Sequence, residues 1–109
     1  MITVPDVASL LRMLADPTRR ALFERVVENR EMTVGELTKG AAVSQPAISQ
    51  HLKALREAGL VAERREGRHI YYRPEPAGLA PLVDWMAVYS VFWRERFANL
   101  RNLLKEIDP

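Results

Sequence analysis

The amino-acid sequence predicts an α+β fold that is mostly α-helical, with five helices and one β-hairpin in a single domain. Three observations lead to this prediction. Apolar residues recur at helical spacing in several segments that capping residues separate. Two of the predicted helices are short and are joined by a tight turn. Two β-prone runs, residues 60–65 and 69–73, then flank a turn that contains Gly67.

The composition limits both the chemistry and the location. The chain has 109 residues, of which 48% are hydrophobic and 28% charged, and this suits one domain without a separate catalytic domain. It contains no cysteine, which excludes disulfides, thiolate nucleophiles and thiolate metal sites. The N-terminus lacks a signal-peptide pattern, and the most apolar segment, residues 82–93, is shorter than the roughly 18 residues of a membrane span. We therefore expect a cytoplasmic protein with no membrane partner.

The first two helices are predicted from an apolar stripe and from the residues between them. The stripe, at positions i, i+3, i+4 and i+7 of a helix over residues 6–15, consists of Val7, Leu10, Leu11 and Leu14. Asp16 can cap the second helix, and Pro17 suits its first position. That helix is expected to end near Asn29 and to bury Ala21, Leu22, Phe23 and Val26.

The third and fourth helices are predicted from their caps. Thr33 and Glu36 have the spacing of a capping box, which begins a short third helix. Gly40 can adopt the positive φ that ends this helix. Ser44 then caps a fourth helix over about residues 44–58. Two short helices joined by a tight turn form a helix-turn-helix, and we call the fourth helix the recognition helix.

A helical wheel divides the recognition helix into an apolar and a polar face. The apolar face, which is expected to anchor the helix in the core, carries Ile48, Leu52 and Leu55. The opposite face carries Pro46, Ser49, Gln50, Lys53 and Glu57. A helix in the major groove presents its N-terminal half to base edges, so Ser49 and Gln50 are the expected base contacts.

Other residues of this segment are better placed for the DNA backbone. Gln45 lies beside the polar face, within reach of a base edge or a phosphate. Lys53 and Arg56 are expected at phosphates. The free N–H groups at the start of the helix, near Ser44, offer another phosphate site.

The predicted hairpin, which we call the wing, is basic. Residues 44–73 carry six Lys and Arg against three Glu, and the rest of the chain has no excess of positive charge. Clustered positive charge attracts a phosphate backbone, although an ordinary solvated face has the same composition. The cations expected at the backbone are Arg64, Arg65 and Arg68. Alternation predicts Ile70 and Tyr72 inward, and Tyr71 outward as a phosphate contact or as a partly buried wing residue.

The last predicted helix, over about residues 79–106, is apolar almost all round from residue 82 to residue 93. Such a helix must be covered on more than one side. We expect a twofold interface between two copies of the chain, formed by Val7, Leu10, Leu11, Leu14, Trp85, Val88, Tyr89, Phe92 and Trp93. Two alternatives are the core helix of a monomer and an apolar effector pocket lined by Trp85, Phe92 and Trp93.

Three segments of the chain resemble a known family. Residues 14–20, 44–61 and 64–72 resemble the second-helix opening, the recognition helix and the wing of the ArsR/SmtB-type winged helix-turn-helix repressors. The resemblance covers nearly the whole chain. It implies a winged fold, a homodimer built on the first and last helices, and a palindromic operator. His51 matches a position where the family commonly has His, and we expect it to contact the helix flank or the DNA backbone.

The departures from the family concern metal binding. Many members sense metals or arsenicals through cysteines, which this chain lacks. Others bind zinc on the last helix through an Asp-x-His pair and a later His-x-x-Glu. Asp84 is present, but Met86, Phe97 and Leu100 occupy the matching positions. We therefore expect no metal and no cofactor, as in a non-metal-sensing subset of the family with a similar aromatic last helix.

Together these features predict a sequence-specific, DNA-binding transcriptional regulator whose partners are double-stranded DNA and a second copy of the chain. The resemblance suggests a repressor and assigns no effector. The alternative is a winged-helix protein-interaction module that does not bind DNA. No pairing of a nucleophile with a base stands out in the sequence, so an enzyme is not expected.

Overall fold

The computed structural model describes residues 6–107, which form five α-helices and a three-stranded antiparallel sheet. The helices are α1 (Val7–Ala15), α2 (Pro17–Asn29), α3 (Val34–Thr38), α4 (Gln45–Glu57) and α5 (Ala80–Ile107). The strands are β1 (Met32–Thr33), β2 (Val61–Glu66) and β3 (His69–Pro74), in the order β1-β3-β2. This confirms the mostly helical α+β fold and its hairpin, but the sequence did not predict β1.

The ends of α1 and α2 follow from their capping residues. The Asp6 carboxylate accepts a hydrogen bond from the Ser9 backbone N–H at 2.7 Å. The Asp16 carboxylate accepts one from the Arg19 backbone N–H at 2.9 Å, and Pro17 begins α2. These hydrogen bonds favour the ionised carboxylates and hold the pKa values of Asp6 and Asp16 below their usual range.

One burial prediction in α2 is wrong. Leu22 and Val26 are buried in the core and Phe23 packs against it, but Ala21 is exposed. Ala21 faces a cleft of about 300 Å³ between α2 and the turn that follows α3. Because that turn stands away from α2, the buried face of α2 is narrower than its apolar sequence suggests.

The helix-turn-helix is formed by the caps that the sequence predicts. The Thr33 hydroxyl accepts a hydrogen bond from the Glu36 N–H at 3.1 Å, and the Glu36 carboxylate accepts one from the Thr33 N–H at 3.0 Å. Gly40 has a φ of 80° and redirects the chain after α3. The Ser44 hydroxyl then accepts a hydrogen bond from the Ala47 N–H at 3.4 Å, which caps α4.

The sheet has a three-stranded base and a two-stranded tip. Met32 and Thr33 of β1 lie opposite Tyr72 and Tyr71 of β3, and Tyr71 in turn lies opposite Arg64 of β2. Met32 and Tyr72 are buried, so the base of the sheet packs on the core. Beyond the Arg64–Tyr71 pair, β2 and β3 continue without a third strand to the turn of the wing.

The core lies between the helix-turn-helix, α1, α2 and the base of the sheet. Its fully buried side chains are Leu10, Val26, Leu37, Ile48, Leu52, Leu55 and Leu60. Every one of these elements therefore contributes to the support of α4, whose polar face stays outside.

Helix α5 extends far beyond this core. Leu79, in the preceding 3-10 turn (Pro76–Leu79), and Leu82, in the first turn of α5, pack against the core. No residue of α5 is buried, however. The Cα radius of gyration is 18.1 Å, whereas a compact domain of about 100 residues has about 13 Å. In the described part of the chain no helix combines the length and apolarity needed to cross a membrane.

Candidate nucleic-acid interface

The recognition helix α4 separates its two faces completely. Ile48, Leu52 and Leu55 are 0% exposed, as the helical wheel predicts. Ser49 and Gln50 are exposed in the N-terminal half of the helix, where Pro46 begins the polar face. The polar face is therefore free of the chain's own core and available to a partner.

A cleft of about 460 Å³ between the helix-turn-helix and the wing brings distant residues together. Gln45 and Ser49 of α4 line it on one side, and Arg68 and His69 of the wing line it on another. Lys39, at the end of α3, contributes a further cation. Sequence reasoning missed Lys39, because it lies in a segment with no net charge and only the fold places it beside the wing tip.

Lys53 continues the polar face of α4 toward its C-terminal end. Its ammonium nitrogen is 4.0 Å from a carboxylate oxygen of Glu57, and both side chains are exposed. An exposed pair at this separation contributes little and leaves the ammonium free to exchange partners. Lys53 therefore stays available as a phosphate contact.

Arg56 has a partner within the chain, which the sequence did not reveal. Its guanidinium lies 2.8 Å from a Glu63 carboxylate oxygen of β2. The Tyr72 hydroxyl donates a hydrogen bond to the other Glu63 oxygen at 3.4 Å. Burial and the neighbouring Glu63 charge raise the pKa of Tyr72. Arg56 thus links the end of α4 to the base of the wing.

Arg64 is likewise held by carboxylates of the chain. Two of its nitrogens contact the two Glu31 oxygens at 2.7 and 3.3 Å, and a third contacts Glu66. Its guanidinium carbon lies 4.5 Å from the ring centroid of Tyr71, which is half-buried. Tyr71 is thus a partly buried wing residue, one of the two alternatives left open by the sequence. The hydrogen bond from Arg64 lowers the pKa of Glu31.

Arg65 and Arg68 are the two wing cations of the prediction that have no such partner. Both are exposed, and within residues 6–107 no carboxylate oxygen lies within 4.0 Å of either guanidinium. Gly67, with a φ of 61°, makes the turn that presents them. The positive charge at the wing tip is therefore carried by Arg65 and Arg68.

His51 lies on the flank of α4 and is half-buried. Its charge adds to the lowering of the pKa of Asp16, whose main cause is the hydrogen bond from the Arg19 N–H. His51 therefore lies within Coulombic range of Asp16. It is on the side of the helix rather than on its polar face.

Comparisons with known proteins identify the family. A family model described as a helix-turn-helix domain matches residues 14–64. An HTH-type transcriptional regulator of Mycobacterium tuberculosis is 49% identical over 69 residues, which span 63% of this chain and 64% of that protein, less than two thirds of its length. The biofilm growth-associated repressor of Xylella fastidiosa is 42% identical over 87 residues, 80% of this chain and 74% of the repressor. The arsenical resistance operon repressor of Escherichia coli is 38% identical over 78 residues, 69% of this chain and 67% of that repressor. This chain belongs to the ArsR family of helix-turn-helix regulators.

A solved structure supports the same assignment. The ArsR-like transcriptional regulator from Rhodococcus sp. RHA1 matches 88% of this chain and 90% of its own, with 29% sequence identity and a TM-score of 0.67. As an ArsR-type protein, this chain is a DNA-binding transcriptional regulator. The relatives that are named repressors support repression as its mode of action.

The exposed apolar surface of this ArsR-type chain lies on α5. Trp85, Phe92 and Trp93 are 48%, 48% and 51% exposed, and Val88 and Tyr89 are exposed beside them. In α1, Leu11 is also exposed, and Val7 and Leu14 are half-buried. Leu10 was predicted at the interface between two copies, but this prediction is wrong because Leu10 is 0% exposed within a single chain. Its side chain fills the core beneath α1 instead.

The aromatic residues of α5 pack on one another as neighbouring pairs. Trp85 packs on Tyr89 with ring centroids 5.3 Å apart, and Phe92 packs on Trp93 at 5.2 Å. A shallow groove of about 630 Å³ runs along α5, and Trp93 lines it without Trp85 or Phe92. An effector pocket lined by Trp85, Phe92 and Trp93 together stays a prediction.

At the four positions that match the zinc site of the resemblance, α5 carries one carboxylate and three apolar side chains. Asp84 is exposed on α5, and Met86, Phe97 and Leu100 are exposed apolar side chains. Among residues 6–107 there is no group of three or more His, Cys, Asp or Glu side chains placed to hold a metal ion.

Proposed function

We propose that this chain is a homodimeric repressor that binds a palindromic operator, with α4 in the major groove and the wing on the adjacent backbone. The observation that carries the proposal is the cleft shared by Gln45, Ser49 and Arg68. It places groups suited to base edges on one side and a free cation on the other. One DNA strand can then contact both elements at once.

The proposal divides the interface into two kinds of contact. Gln50 and Ser49 contact base edges, since an amide can pair with adenine through two hydrogen bonds and a hydroxyl accepts either base type. Gln45 lies at the margin of this group. Backbone contacts come from the N-terminus of α4 and from cations, namely Lys39, Lys53, Arg65 and Arg68. Pro46 packs against the groove wall, and His51 lies at the flank.

The second part of the proposal is the homodimer. Exposed apolar patches of this extent mark interaction sites. Helix α5 also contacts α1, in which Leu11 is exposed and Val7 and Leu14 are half-buried. A twofold interface covers the same patch on both copies and places the two recognition helices symmetrically. A protein that binds DNA must lie in the same compartment as the DNA. The proposal therefore includes the cytoplasmic location that the sequence predicts.

Selection of bound duplexes from a random pool, followed by sequencing, tests the proposal directly. We expect an inverted repeat whose half-sites lie about one helical turn, roughly 10 base pairs, apart. The logarithm of the affinity should fall with the logarithm of the salt concentration as phosphate contacts release counterions. Selected DNA without any common sequence would reject sequence-specific binding, and no retention of DNA at all would favour the protein-interaction module.

Two single substitutions test the division of labour. Gln50→Ala should cost about 1–3 kcal/mol at one base position and little at others. Arg68→Ala should weaken binding to all sequences alike and reduce the salt slope by about one. Equal effects of both substitutions on every duplex would contradict the assignment of Gln50 to bases and Arg68 to phosphate.

A further inference from the structure

Arg64 spans the whole width of the sheet. It lies on the edge strand β2, opposite Tyr71 of the central strand, while β1 forms the other edge. Its guanidinium lies over the Tyr71 ring and reaches Glu31, the residue immediately before β1. Arg64 therefore joins the two edges of the sheet across the strand between them.

This contact lies where the support of the wing changes. The pair Thr33–Tyr71 is the last one that β1 makes, and Arg64 pairs with the same Tyr71. Beyond it, β2 and β3 form an isolated two-stranded ribbon that ends at Gly67. A two-stranded hairpin is marginally stable by itself, so its direction depends on what holds its base.

The charges argue against Arg64 as a phosphate contact. Its guanidinium is shared between Glu31 and Glu66, so the three groups together carry a net negative charge. The contact with Glu31 uses two nitrogens and two oxygens, a geometry that fixes orientation more strictly than a single ion pair does. Moving Arg64 to a phosphate would break both contacts and leave two carboxylates near the DNA.

We propose that Arg64 and Glu31 form a clamp that orients the wing tip toward the DNA, so that Glu31, although acidic, increases DNA affinity. Arg64 is then a positioning residue for Arg65 and Arg68, which make the contacts. The inference rests on DNA binding as the proposed function, and it adds a residue whose charge alone would predict the opposite effect.

The sign of the Glu31→Gln effect tests the clamp. If Glu31 only repels phosphate, its neutralisation tightens DNA binding. If it holds Arg64, the same substitution weakens binding, by about 3- to 10-fold. The measurement is fluorescence anisotropy of the full chain with a selected duplex over a range of salt concentrations. Glu28→Gln is the matched control, since it removes an equal charge from an exposed position near the end of α2, and it should not weaken binding.

Arg64→Gln and the double variant complete the test. We expect Arg64→Gln to weaken binding by a similar factor, and the double variant to be no weaker than either single variant, as for residues acting through one contact. The salt slope should stay within about half a unit of that of the original chain. A slope reduced by about one in Arg64→Gln, together with tighter binding in Glu31→Gln, would overturn the clamp and make Arg64 a phosphate contact.

Hydrogen exchange separates failure of the clamp from failure of the proposed function. Without DNA, the backbone amides of residues 65–70 should exchange faster in Glu31→Gln than in the original chain, whereas those of α4 should not change. Unchanged exchange in the wing tip would reject the clamp even if the chain binds DNA as proposed. Faster exchange in a chain that binds no DNA would support the clamp and reject the proposed function.

Discussion

Ile48 and Ser49 are neighbours in α4 with opposite environments. Ile48 is 0% exposed in the core, and Ser49 is exposed in the cleft beside the wing. Ile48→Ala should lower the free energy of unfolding by about 2–5 kcal/mol, because it removes buried methyl groups and leaves a cavity. Urea denaturation followed by circular dichroism measures this change.

Ser49→Ala provides the matched control at the next position. We expect the free energy of unfolding to change by no more than about 0.5 kcal/mol, since the side chain is exposed. The same variant should weaken binding to the selected operator. Similar losses of stability in both variants would mean that the two faces of α4 are not separated as described.

Asp16 gives a prediction about pH. Its pKa lies below the usual value of 3.8 because the Arg19 backbone N–H donates to the carboxylate. A lowered folded-state pKa contributes stability that is fully present above the unfolded pKa and is lost as the pH falls through the folded pKa. Asp16→Asn keeps a capping oxygen that does not titrate. Between about pH 5 and about pH 2, its urea midpoint should therefore fall less than that of the original chain. If the urea midpoints of the two chains fell equally over this pH range, the charge of Asp16 would not stabilise the fold.

At this scale the sequence predicts whatever depends on near neighbours. The caps at Asp16, Thr33 and Ser44 use partners three residues along the chain, and the buried face of α4 follows from helical spacing. Of the two partners of Arg64, Glu66 is two residues away, but Glu31 lies 33 residues away and is visible only in the fold. The sequence alone therefore does not distinguish a basic wing residue that contacts phosphate from one that is paired with a distant carboxylate.

In the 3-10 turn that precedes α5, Gly78 packs closely against the backbone that follows α4. A Cβ on Gly78 would overlap the Gly59 carbonyl oxygen and lie 2.9 Å from its carbonyl carbon and 3.0 Å from the Leu60 Cα. These are backbone atoms, so the 3-10 turn would have to move away from the end of α4. Gly78→Ala should therefore lower the free energy of unfolding by about 1–3 kcal/mol, measured by urea denaturation.

Gly35→Ala is the control for Gly78→Ala, with an expected effect of opposite sign. Gly35 lies in α3, and the nearest atom to an added Cβ is the Thr33 hydroxyl oxygen at 3.9 Å. The substitution restricts the unfolded chain without a clash, so stability should rise by about 0.4–1 kcal/mol. If Gly78→Ala were as well tolerated as Gly35→Ala, the close approach to Gly59 would not be a constraint.

The elements differ in how much of each the sequence reveals. The hairpin is predicted by its β-prone runs and by the turn at Gly67. Strand β1 has only two residues, too few to show alternation, and it is defined by its pairing with Tyr71 and Tyr72. Likewise, the exposure of Ala21 depends on where the turn after α3 runs, which no property of α2 determines.

On the scale of the whole molecule, α5 is the helix whose apolar side chains a single chain leaves exposed. The helix has 28 residues and no buried side chain, whereas the helix-turn-helix beside it has a complete core. Apolar area of this size favours association by the hydrophobic effect. In the proposed function a second copy of the chain covers this surface, and the same pairing places two recognition helices on one palindrome.

The same substitution, to Gln, at the adjacent positions Phe92 and Val91 tests the proposed dimer. Phe92 shares a face of α5 with Trp85 and Tyr89, whereas Val91 lies about 100° around the helix. Phe92→Gln should raise the dissociation constant of the dimer by at least about tenfold, since each dimer loses two aromatic contacts. It should also weaken operator binding at low protein concentration.

Val91→Gln should leave both properties unchanged. Its side chain is 64% exposed, and it lies outside the proposed interface. Sedimentation equilibrium measures the dissociation constant, and anisotropy with a full palindrome and with a single half-site measures binding. A loss confined to the full palindrome in Phe92→Gln would show that the α5 interface joins the two half-site contacts. If the two variants had equal dissociation constants, the face of α5 that carries Phe92 would not be the dimer interface.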